Sequence, residues 1–592
     1  MKGVILHMRK TKIICTVGPS SESEEVLSKL IEAGMNASRH NFSHGDHEEH
    51  GRRMNLVKSL REKYNKSIAI ILDTKGPEIR TGKFEGGSVE LKEGTDFTVV
   101  CGEDILGNNT ICSVSYKDLY KDVKLGDSIL IADGLVGLEV KSVEGNKIYC
   151  RVRNSGSLGN NKNVNVPGVV TTLPAVTEKD IDDLKFGIEM GVDMVAASFI
   201  RKAADVLHIR KFLQEHGGED ILIFSKIENH EGVDNIDEII KFSDGIMVAR
   251  GDLGVEIPTE EVPVVQKMII EKCNEAGKPV ITATQMLDSM IKNPRPTRAE
   301  ASDVANAIFD GTDAIMLSGE TANGKYPVET VTTMSKIAER AEKALNYEEK
   351  LKKRRRNRIP NVPHAISLAT CNTAMDLNAA AIITVTQTGH TARMVSAYRP
   401  ECLIIAVTPY DTVARRLALN WGVFPILAPK MSNTDEVIDK SAEIATEAGY
   451  VRRGDLLVIA AGIPVDYAGT TNMMKVHVVG DILAQGKSKG TGHAFGTAVV
   501  VDSVDEALKN LEEGNILVAK DITADYMEIL DKVAGIIAET DAIDADVAIQ
   551  CALKEIPMIL SAQGVTGTVK TGAFITMDIR RGIVYSGKVG VI

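Results

Sequence analysis

Short apolar segments alternate with amphipathic helical segments over the first 345 residues, and their number constrains the fold. Eight of these segments have the length and the β-branched content of buried parallel strands. They are residues 12–17, 35–42, 68–73, 194–199, 221–228, 245–248, 279–285 and 314–320. Eight strand-helix units predict an α/β fold of the TIM (β/α)8 barrel type, in which functional side chains lie at the carboxyl ends of the strands.

One long insertion interrupts this pattern between the third and the fourth strand. Residues 76–174 contain short alternating runs and few helical patterns, so they predict a β-rich lid domain. The barrel then occupies residues 1–75 and 175–345. An insertion on the active face of a barrel can close over a substrate and exclude water.

Two further regions follow the barrel. Residues 346–485 carry a second α/β pattern, with strands predicted at 380–385, 403–407, 455–461 and 475–479. Residues 485–492, with the sequence QGKSKGTG, have the composition of a flexible linker. Residues 493–592 predict an additional α/β domain, whose core includes the apolar runs 515–519 and 534–538.

Composition excludes several classes of protein. The chain has 592 residues, too many for one core, and its net charge of −12 argues against a nucleic-acid partner. Its apolar runs are shorter than a membrane span, so no membrane association is expected. Eight cysteines without a CxxC pair indicate reduced thiols and a cytoplasmic protein.

Two carboxylates and an ammonium group follow two successive predicted strands. Lys226 and Glu228 are two residues apart at the end of the fifth strand, so both side chains point to one side. Asp252 follows the sixth strand, beside Gly251, which permits close approach of the backbone to a ligand. Carboxylates suit Mg²⁺, and an ammonium stabilises charge on a transferred phosphoryl group or an enolate. The pattern predicts a phosphoryl-transfer site, and the alternative is a Lys-Glu pair buried for structure.

Other strand ends add polar groups to the same face. Arg39, at the end of the second strand, offers a guanidinium for a phosphate, and the side-chain oxygens that follow it offer ligands for an ion. The third, seventh and eighth strands end in the sequences 73–80, 283–286 and 318–321.

These motifs are similar to those of the pyruvate kinase family. The matching segments are NFSHG (41–45), LDTKGPEIRTG (72–82), NVPG (165–168), SKIEN (225–229), MVARGDLGVEIP (247–258), ITATQMLDSM (281–290) and the run 293–321. The resemblance covers residues 9–485. It implies transfer of the phosphoryl group of phosphoenolpyruvate to ADP, giving pyruvate and ATP, by a homotetramer that needs Mg²⁺ and K⁺.

The same resemblance assigns roles to individual residues. Lys226 would stabilise the transferring phosphoryl group and the enolate oxygen, and Arg39 would grip the phosphate. Thr284 would lie beside the carbon that gains a proton. Glu228 and Asp252 would hold Mg²⁺, and the amides of Gly251 and Asp252 would receive the substrate carboxylate. The implied K⁺ ligands are Asn41, Ser43, Asp73 and Thr74, and the implied nucleotide contacts are His44, Arg80 and Lys162.

Three positions depart from the family pattern. His40 stands where an apolar residue usually packs, and we interpret it as a tolerated neighbour of the site. Ala132 stands where the family often has the first of two aspartates, which bears on one nucleotide-metal contact. Glu78 stands where a lysine can replace K⁺ in the family, so a carboxylate here predicts a requirement for a monovalent cation.

The resemblance also implies that residues 346–485 form a regulatory domain. In the loop 386–391 hydroxyls and free amides precede a helix, so they predict a site for a phosphorylated allosteric effector. The effector residues are Thr386, Thr388, Gly389, His390 and Thr391, and the alternative is an ordinary turn with a helix cap. The basic run 352–358 predicts a solvated linker.

Residues 493–592 resemble the swivelling phosphohistidine domain of dikinases that use phosphoenolpyruvate. Asp544, Ala545 and Asp546 occupy the positions of the Thr-Ser-His run of that domain. We therefore expect a domain that lost its carrier chemistry and serves stability or subunit contacts.

Two other functions are the alternatives to a phosphoryl-transfer enzyme of this family. A regulatory pseudoenzyme would bind phosphorylated metabolites without turnover, but the complete set of charged groups disfavours it. Another enolate-forming enzyme on the same barrel is disfavoured by Arg80, Lys162 and the lid.

Overall fold

The computed structural model describes residues 8–355, 361–431, 433–463, 471–480 and 482–589. The chain divides into two compact units. Unit 1 comprises Met1–Pro360, Gln387–Arg399 and Thr408–Leu427, and unit 2 comprises Asn361–Thr386, Pro400–Val407 and Ala428–Ile592. Among the described residues, none of the helices has the length and apolar character needed to cross a bilayer.

Unit 1 begins with three strands separated by two helices. These are β1 (Lys12–Thr16), α1 (Glu24–Ala33), β2 (Ala37–Asn41), α2 (His47–Lys63) and β3 (Ala69–Asp73). All residues of β1 and β3 are buried. Ser23 caps α1 by accepting a hydrogen bond from the Val26 amide, and Gly34 ends the helix in a left-handed conformation. These signals turn the chain back so that the next strand runs parallel to the last.

The inserted lid, residues 76–174, is built mainly from antiparallel strands with one short α-helix. Its elements are β4 (Ile79–Arg80), β5 (Ser88–Leu91), β6 (Asp96–Cys101), β7 (Ile111–Val114), α3 (Leu119–Asp122), β8 (Ser128–Ile131), β9 (Val136–Glu144), β10 (Lys147–Val152), β11 (Gly156–Gly159) and β12 (Asn163–Asn165). One sheet has the order β4-β12-β8-β9-β10-β6-β7, in which β6 and β7 pair in parallel, and a second pairs β11 with β5. Phe97, Leu138 and Ile148 lie in the lid's own core. The predicted β-rich insertion is confirmed.

Five more strands complete the barrel. The elements are α4 (Glu178–Glu189), β13 (Met194–Ala197), α5 (Ala203–Glu215), β14 (Leu222–Ile227), α6 (His230–Asp234), α7 (Ile236–Phe242), β15 (Gly245–Ala249), α8 (Arg250–Glu256), α9 (Val262–Ala276), β16 (Val280–Ala283), α10 (Arg298–Asp310), β17 (Ala314–Leu317), α11 (Gly319–Ala322) and α12 (Pro327–Glu342). The strands close in the order β1-β17-β16-β15-β14-β13-β3-β2, and the predicted TIM barrel is confirmed. Several strands end before the predicted residue, because the residues beyond leave the ladder to form the site.

The region after the barrel contains the second α/β pattern. Its elements are α13 (Tyr347–Arg355), α14 (Val362–Asp376), β18 (Ala381–Val385), α15 (His390–Ser396), β19 (Leu403–Thr408), α16 (Asp411–Arg416), β20 (Val423–Leu427), α17 (Thr434–Glu447), β21 (Leu456–Ala461) and β22 (Met473–Val478). In unit 2, β18 pairs in parallel with β19 and β21, and β22 runs antiparallel to β21. The sequence prediction missed β20, and α15, α16 and β20 belong to unit 1.

The basic run 352–358 is helical in its described part and not a linker, but its lysines are exposed to solvent as expected. Lys352 and Lys353 lie within α13, where Lys352 pairs with Glu348 of the same helix and Lys353 Nζ lies 2.7 Å from a carboxylate oxygen of Glu271. Lys350, which precedes the run in the same helix, donates a hydrogen bond to the carbonyl of Phe309. Residues 356–358 lie outside the described residues.

The C-terminal part of unit 2 forms an eight-stranded sheet with three helices. Its elements are β23 (Ile482–Gln485), β24 (Lys487–Lys489), β25 (His493–Val501), α18 (Val504–Asn510), β26 (Asn515–Ala519), β27 (Val533–Ala538), α19 (Ala545–Leu553), β28 (Met558–Leu560), α20 (Val565–Thr568), β29 (Phe574–Asp578) and β30 (Ile583–Ser586). The strand order is β23-β30-β29-β25-β26-β27-β28-β24.

The segment 485–492, predicted as a linker, is largely part of this sheet. Gln485 pairs with Ile583, and Lys487–Lys489 pair with β28. The prediction failed because these edge strands expose polar side chains while their backbone is hydrogen-bonded. Gly486 is required here, since a Cβ at this position would lie 2.2 Å from the carbonyl oxygen of Leu560.

Candidate active site

Lys226, near the end of β14, lies at the centre of a buried group of charges. Its Nζ lies 3.1 Å from Asp73 Oδ1, 2.7 Å from Ser198 Oγ and 2.8 Å from Glu228 Oε1. Burial lowers the pKa of the ammonium, but Asp73 and Glu228 outweigh burial and raise it overall. The ammonium is therefore charged at neutral pH and is held by three oxygen atoms.

Asp73, at the end of β3, connects Lys226 to Arg39. It is fully buried, and its Oδ2 accepts a hydrogen bond of 2.5 Å from Arg39 Nε. Arg39 also donates to Thr16 Oγ1 over 3.0 Å. Burial favours the neutral acid, but the two cations outweigh burial and hold the pKa of Asp73 below its ordinary value. An ionised Asp73 thus fixes the guanidinium and the ammonium on one face of the barrel.

Glu228, which is fully buried, and Asp252, which is half-buried, form a pair of carboxylates beside Lys226. The Phe199 amide donates to Glu228 Oε2 over 2.6 Å, while Glu228 Oε1 makes no hydrogen bond although Lys226 Nζ is close. Burial raises the pKa of Glu228 to about 7 and also raises the pKa of Asp252. A divalent cation bound by both carboxylates would offset the repulsion between their negative charges. The described residues contain no cluster of three or more candidate metal ligands.

Thr284 follows β16 in a left-handed conformation with φ of 66°. Its hydroxyl donates to the carbonyl of Ala283 over 2.6 Å and accepts from the Gly251 amide over 2.8 Å. Gly251, at the start of α8, thus directs its N–H toward Thr284 in this structure. These contacts place the hydroxyl predicted to lie beside the reacting carbon next to the helix that carries Asp252.

Arg250 fixes the backbone of this loop, and the sequence analysis did not single it out. Its guanidinium donates to the carbonyls of Ala283, Thr284 and Gln285 at 3.3, 2.7 and 3.4 Å. It also forms a 2.8 Å ion pair with Asp303. The position beside Gly251 was visible in the sequence, but the carbonyls that Arg250 binds come from the next strand along the chain.

Ser198 is a second residue that the sequence analysis missed. Its hydroxyl accepts from Lys226 Nζ and donates to the carbonyl of Thr74 over 2.6 Å. Ser198 directly follows β13 and lies within the predicted strand 194–199. The expectation that functional side chains lie at the carboxyl ends of the strands therefore applied to Ser198 as well.

The residues expected to bind K⁺ lie around the ends of β2 and β3. Asn41 is the register partner of Asp73, and its side-chain oxygen accepts from the Ser43 amide over 3.2 Å. Thr74 follows Asp73, and its hydroxyl accepts from the Ser198 amide over 3.1 Å. Amide, hydroxyl and carboxylate oxygens are thus adjacent, which is a donor set that suits a hard monovalent cation.

The expected nucleotide contacts lie in two places. Arg80 and Lys162 are neighbours in the lid, because Arg80 pairs with Asn163 at the edge of β12. Arg80 donates to Glu78 Oε2 over 2.8 Å and to the carbonyl of Asn161 over 2.9 Å. His44 is exposed in the turn after β2.

Two of the positions that depart from the family pattern, His40 and Ala132, lie in different surroundings. His40 is fully buried, its Nε2 lies 3.2 Å from Ser38 Oγ, and burial lowers its pKa to about 3. It is therefore neutral. Ala132 and Asp133 both adopt left-handed backbone, with φ of 56°, in the turn between β8 and β9.

The predicted effector loop spans both units. Thr386 ends a segment of unit 2, and its amide donates to the carbonyl of Val407. In unit 1, Gly389 precedes α15, which has seven residues. Arg393 donates to the carbonyl of Thr388 over 3.1 Å, so a guanidinium that the sequence analysis did not include lies at this loop.

Asp544, which occupies the first position of the dikinase Thr-Ser-His run, caps α19. Its Oδ1 accepts from the amides of Asp546 and Val547 at 3.0 and 3.3 Å. His493 lies in β25, on the exposed side of the sheet.

Three family models match the chain. Residues 8–331 match the pyruvate kinase barrel domain, 364–477 match the pyruvate kinase alpha/beta domain, and 511–582 match the mobile domain of PEP-utilising enzymes. Together they cover the barrel, most of the second α/β pattern and four of the eight strands of the C-terminal sheet, β26 to β29.

Curated relatives and a solved structure agree with these matches. A pyruvate kinase of Bacillus licheniformis is 53% identical over 99% of this chain and 100% of its own length. A pyruvate kinase of Clostridium acetobutylicum is 65% identical over 80% of this chain and 100% of its own length, so one fifth of this chain has no counterpart there. The crystal structure of a pyruvate kinase from Cryptosporidium parvum matches with a TM-score of 0.77 and 43% identity, over 80% of this chain and 97% of that one. On the matches of domains, sequence and structure, the chain belongs to the pyruvate kinase family.

Proposed function

We propose that this chain catalyses transfer of the phosphoryl group of phosphoenolpyruvate to ADP, giving pyruvate and ATP. The observation that carries this proposal is the fixed ammonium of Lys226, which lies within 3.1 Å of Asp73, Ser198 and Glu228. A preorganised cation of this kind stabilises charge that develops in a transition state without reorganising during the reaction.

The reaction breaks the bond between phosphorus and the enol oxygen and forms a bond from phosphorus to a terminal oxygen of ADP. The electron pair stays on the enolate, whose methylene carbon then takes a proton to give pyruvate. Lys226 stabilises the charge on the phosphoryl group and on the enolate oxygen, and Arg39 binds the phosphate. Thr284 lies beside the carbon that takes the proton, and Arg250 positions Thr284 through the backbone.

Glu228 and Asp252 would hold Mg²⁺. A fully buried and a half-buried carboxylate, both with raised pKa values, fit that ion. When bound, Mg²⁺ supplies Lewis-acid polarisation of phosphoryl and carboxylate oxygens. In this structure the Gly251 amide donates to the Thr284 hydroxyl. To receive the substrate carboxylate, as the family implies, this amide must give up that hydrogen bond and donate to the carboxylate instead.

K⁺ would be held by Asn41, Ser43, Asp73 and Thr74, and the nucleotide by His44, Arg80 and Lys162. A phosphorylated effector would bind at the loop of Thr388, Gly389, His390 and Thr391, with Thr386 preceding it. The nearby guanidinium of Arg393 supports an anionic ligand there. A cytoplasmic homotetramer completes the proposal.

The decisive experiment measures pyruvate formation from phosphoenolpyruvate and ADP with a coupled assay. Turnover must depend on ADP and on Mg²⁺, and it must disappear on chelation and return on readdition of Mg²⁺. A folded protein that binds phosphoenolpyruvate but forms no pyruvate would contradict the proposal and favour the pseudoenzyme.

The C-terminal domain is proposed to have no carrier chemistry. An aspartate, Asp546, stands at the histidine position, and Asp544 two residues before it caps α19. The Clostridium acetobutylicum relative shows that a family member can lack about a fifth of this chain. Because β23 and β24 belong to this sheet, a truncation should end at Gly480 rather than at residue 486. We expect the truncated protein to retain catalysis. Stable labelling of residues 482–589 by labelled phosphoenolpyruvate would contradict the proposal.

A further inference from the structure

A hydrogen bond between two side chains joins the strands of the lid to the barrel. In the part of the chain that the structure describes, residues 79–165 make one hydrogen bond to a residue outside the lid, from Asn165 Nδ2 to Glu256 Oε1, at 2.7 Å. The segments that connect the lid to the barrel have contacts of their own, since Arg201 donates to the carbonyls of Thr171 and Leu173. The bond from Asn165 to Glu256 can therefore orient the described lid strands independently of the connecting segments.

This contact continues into the lid as a chain of side chains. Asn163 Nδ2 lies 3.3 Å from Asn165 Oδ1 and donates to Asp133 Oδ1 over 2.6 Å. The Asp133 amide donates back to Asn163 Oδ1 over 3.1 Å. Asp133 lies in the left-handed turn between β8 and β9, so the chain runs from the barrel to that turn.

The barrel end of the contact lies on the helix of the metal-binding carboxylate. Glu256 is the last residue of α8 and follows Asp252 by four residues, so both side chains lie on one face of the helix. Both line a cavity of about 510 Å³ between β12, α6 and α8, which Asn165 also lines. Burial raises the pKa of Glu256, and Asp252 raises it further.

We propose that Asn165 and Glu256 form a latch that sets the position of the lid over Asp252, with Asn163 and Asp133 extending this control to the turn between β8 and β9. In this proposal Asn165 and Glu256 are positioning residues, because they act through the position of the lid. The latch deepens the proposed function and rests on it only for the kinetic part of its test. It is expected to govern how well the lid residues Arg80 and Lys162 meet the nucleotide.

The test exchanges the donor and the acceptor. Asn165→Asp places a carboxylate against Glu256, and we expect it to raise the KM for ADP on the order of tenfold, the size expected for a hydrogen bond to a charged group. The kcat should change much less. Hydrogen exchange of the ligand-free protein should become faster in residues 163–173. The double variant Asn165→Asp with Glu256→Gln offers a new amide donor to the new carboxylate, and we expect it to restore both readouts.

Two controls complete the design. Glu256→Gln alone keeps an acceptor for Asn165 and should remain close to the wild type. Asn146→Asp makes the same substitution within the lid, where Asn146 bonds only to Cys101 and Glu103, and should leave KM and exchange unchanged. If Asn165→Asp changes neither readout, or if the double variant resembles Asn165→Asp, the latch is refuted. Absence of turnover in the wild type would overturn the proposed function instead, and exchange would still decide the latch.

Discussion

Replacement of Lys226 by methionine is expected to abolish phosphoryl transfer. Met fills a similar volume but removes the one ammonium that three oxygen atoms hold in place. Removal of a preorganised electrostatic contact typically costs about 10² to 10³ in kcat, and we expect at least this loss for Lys226→Met. KM for phosphoenolpyruvate should rise less, because the proposed phosphate ligands, Arg39 and Mg²⁺, are retained.

The effect on stability follows from the neighbours of Lys226. Loss of one partner of a buried ion pair typically costs about 3–5 kcal/mol. Asp73 keeps Arg39, whereas Glu228, whose pKa is already raised to about 7, can take up a proton. A raised carboxyl pKa stabilises the fold below the unfolded pKa near 4.5, and that stability is lost as pH rises through the folded pKa. We therefore expect the variant to be most destabilised above pH 7, and less so at pH 6.

The assay compares Lys226→Met with Arg415→Met. Arg415 is also buried in unit 1 and forms a 2.7 Å ion pair with Asp193, but Asp193 precedes β13, at the end of the barrel away from the site. Coupled assays at saturating substrates, Mg²⁺ and K⁺ give kcat, and thermal unfolding followed by circular dichroism gives stability. A folded Lys226→Met protein with kcat within tenfold of the wild type would refute the reasoning. An equal loss of kcat in Arg415→Met would refute it as well.

Three further outcomes are expected. Activity should require K⁺, and Glu78→Lys should reduce that requirement; equal wild-type rates in K⁺ and in tetramethylammonium would contradict it. Arg250→Lys cannot bind all the carbonyls that hold Thr284, so kcat should fall by up to about 10²-fold at little-changed KM, as expected for a misplaced group; an unchanged kcat argues against this role. Because the folded pKa of His40 is about 3, protonation of the unfolded state near pH 6.5 and below destabilises the protein, by about 2 kcal/mol between pH 7 and pH 5. His40→Leu should lose less stability over that interval in chemical unfolding, and an identical pH dependence would contradict the burial of a neutral imidazole.

The barrel was predictable because parallel strands buried on both faces appear as continuous apolar runs. The segment 485–492 was not, since β24 exposes all three of its side chains and is identified only by its backbone pairing with β28. For α13, the exposed lysines of the run 352–358 suggested a linker, but Lys352 and Lys353 lie in a helix.

The site was predictable in part. Lys226 and Glu228 are neighbours in the sequence, so the alternation of a strand sufficed to place them together. The link from Lys226 to Asp73 spans 153 residues and depends on β13, which lies between β3 and β14 in the barrel. Sequence order alone cannot show that β13 brings Ser198 between them.

Backbone strain at the strand ends explains how the site keeps its geometry without ligands. Phe199, Thr284 and Gln285 adopt left-handed conformations, with φ of 54°, 66° and 52°. Such residues cost on the order of 1–3 kcal/mol each and persist only where the surroundings determine them. Here the Phe199 amide donates to Glu228, and Arg250 binds the carbonyls of Thr284 and Gln285. The hydrogen bonds that offset the strain are therefore the same bonds that orient Glu228, the proposed metal-binding carboxylate, and the hydroxyl of Thr284. Formation of the barrel thus also preorganises the site.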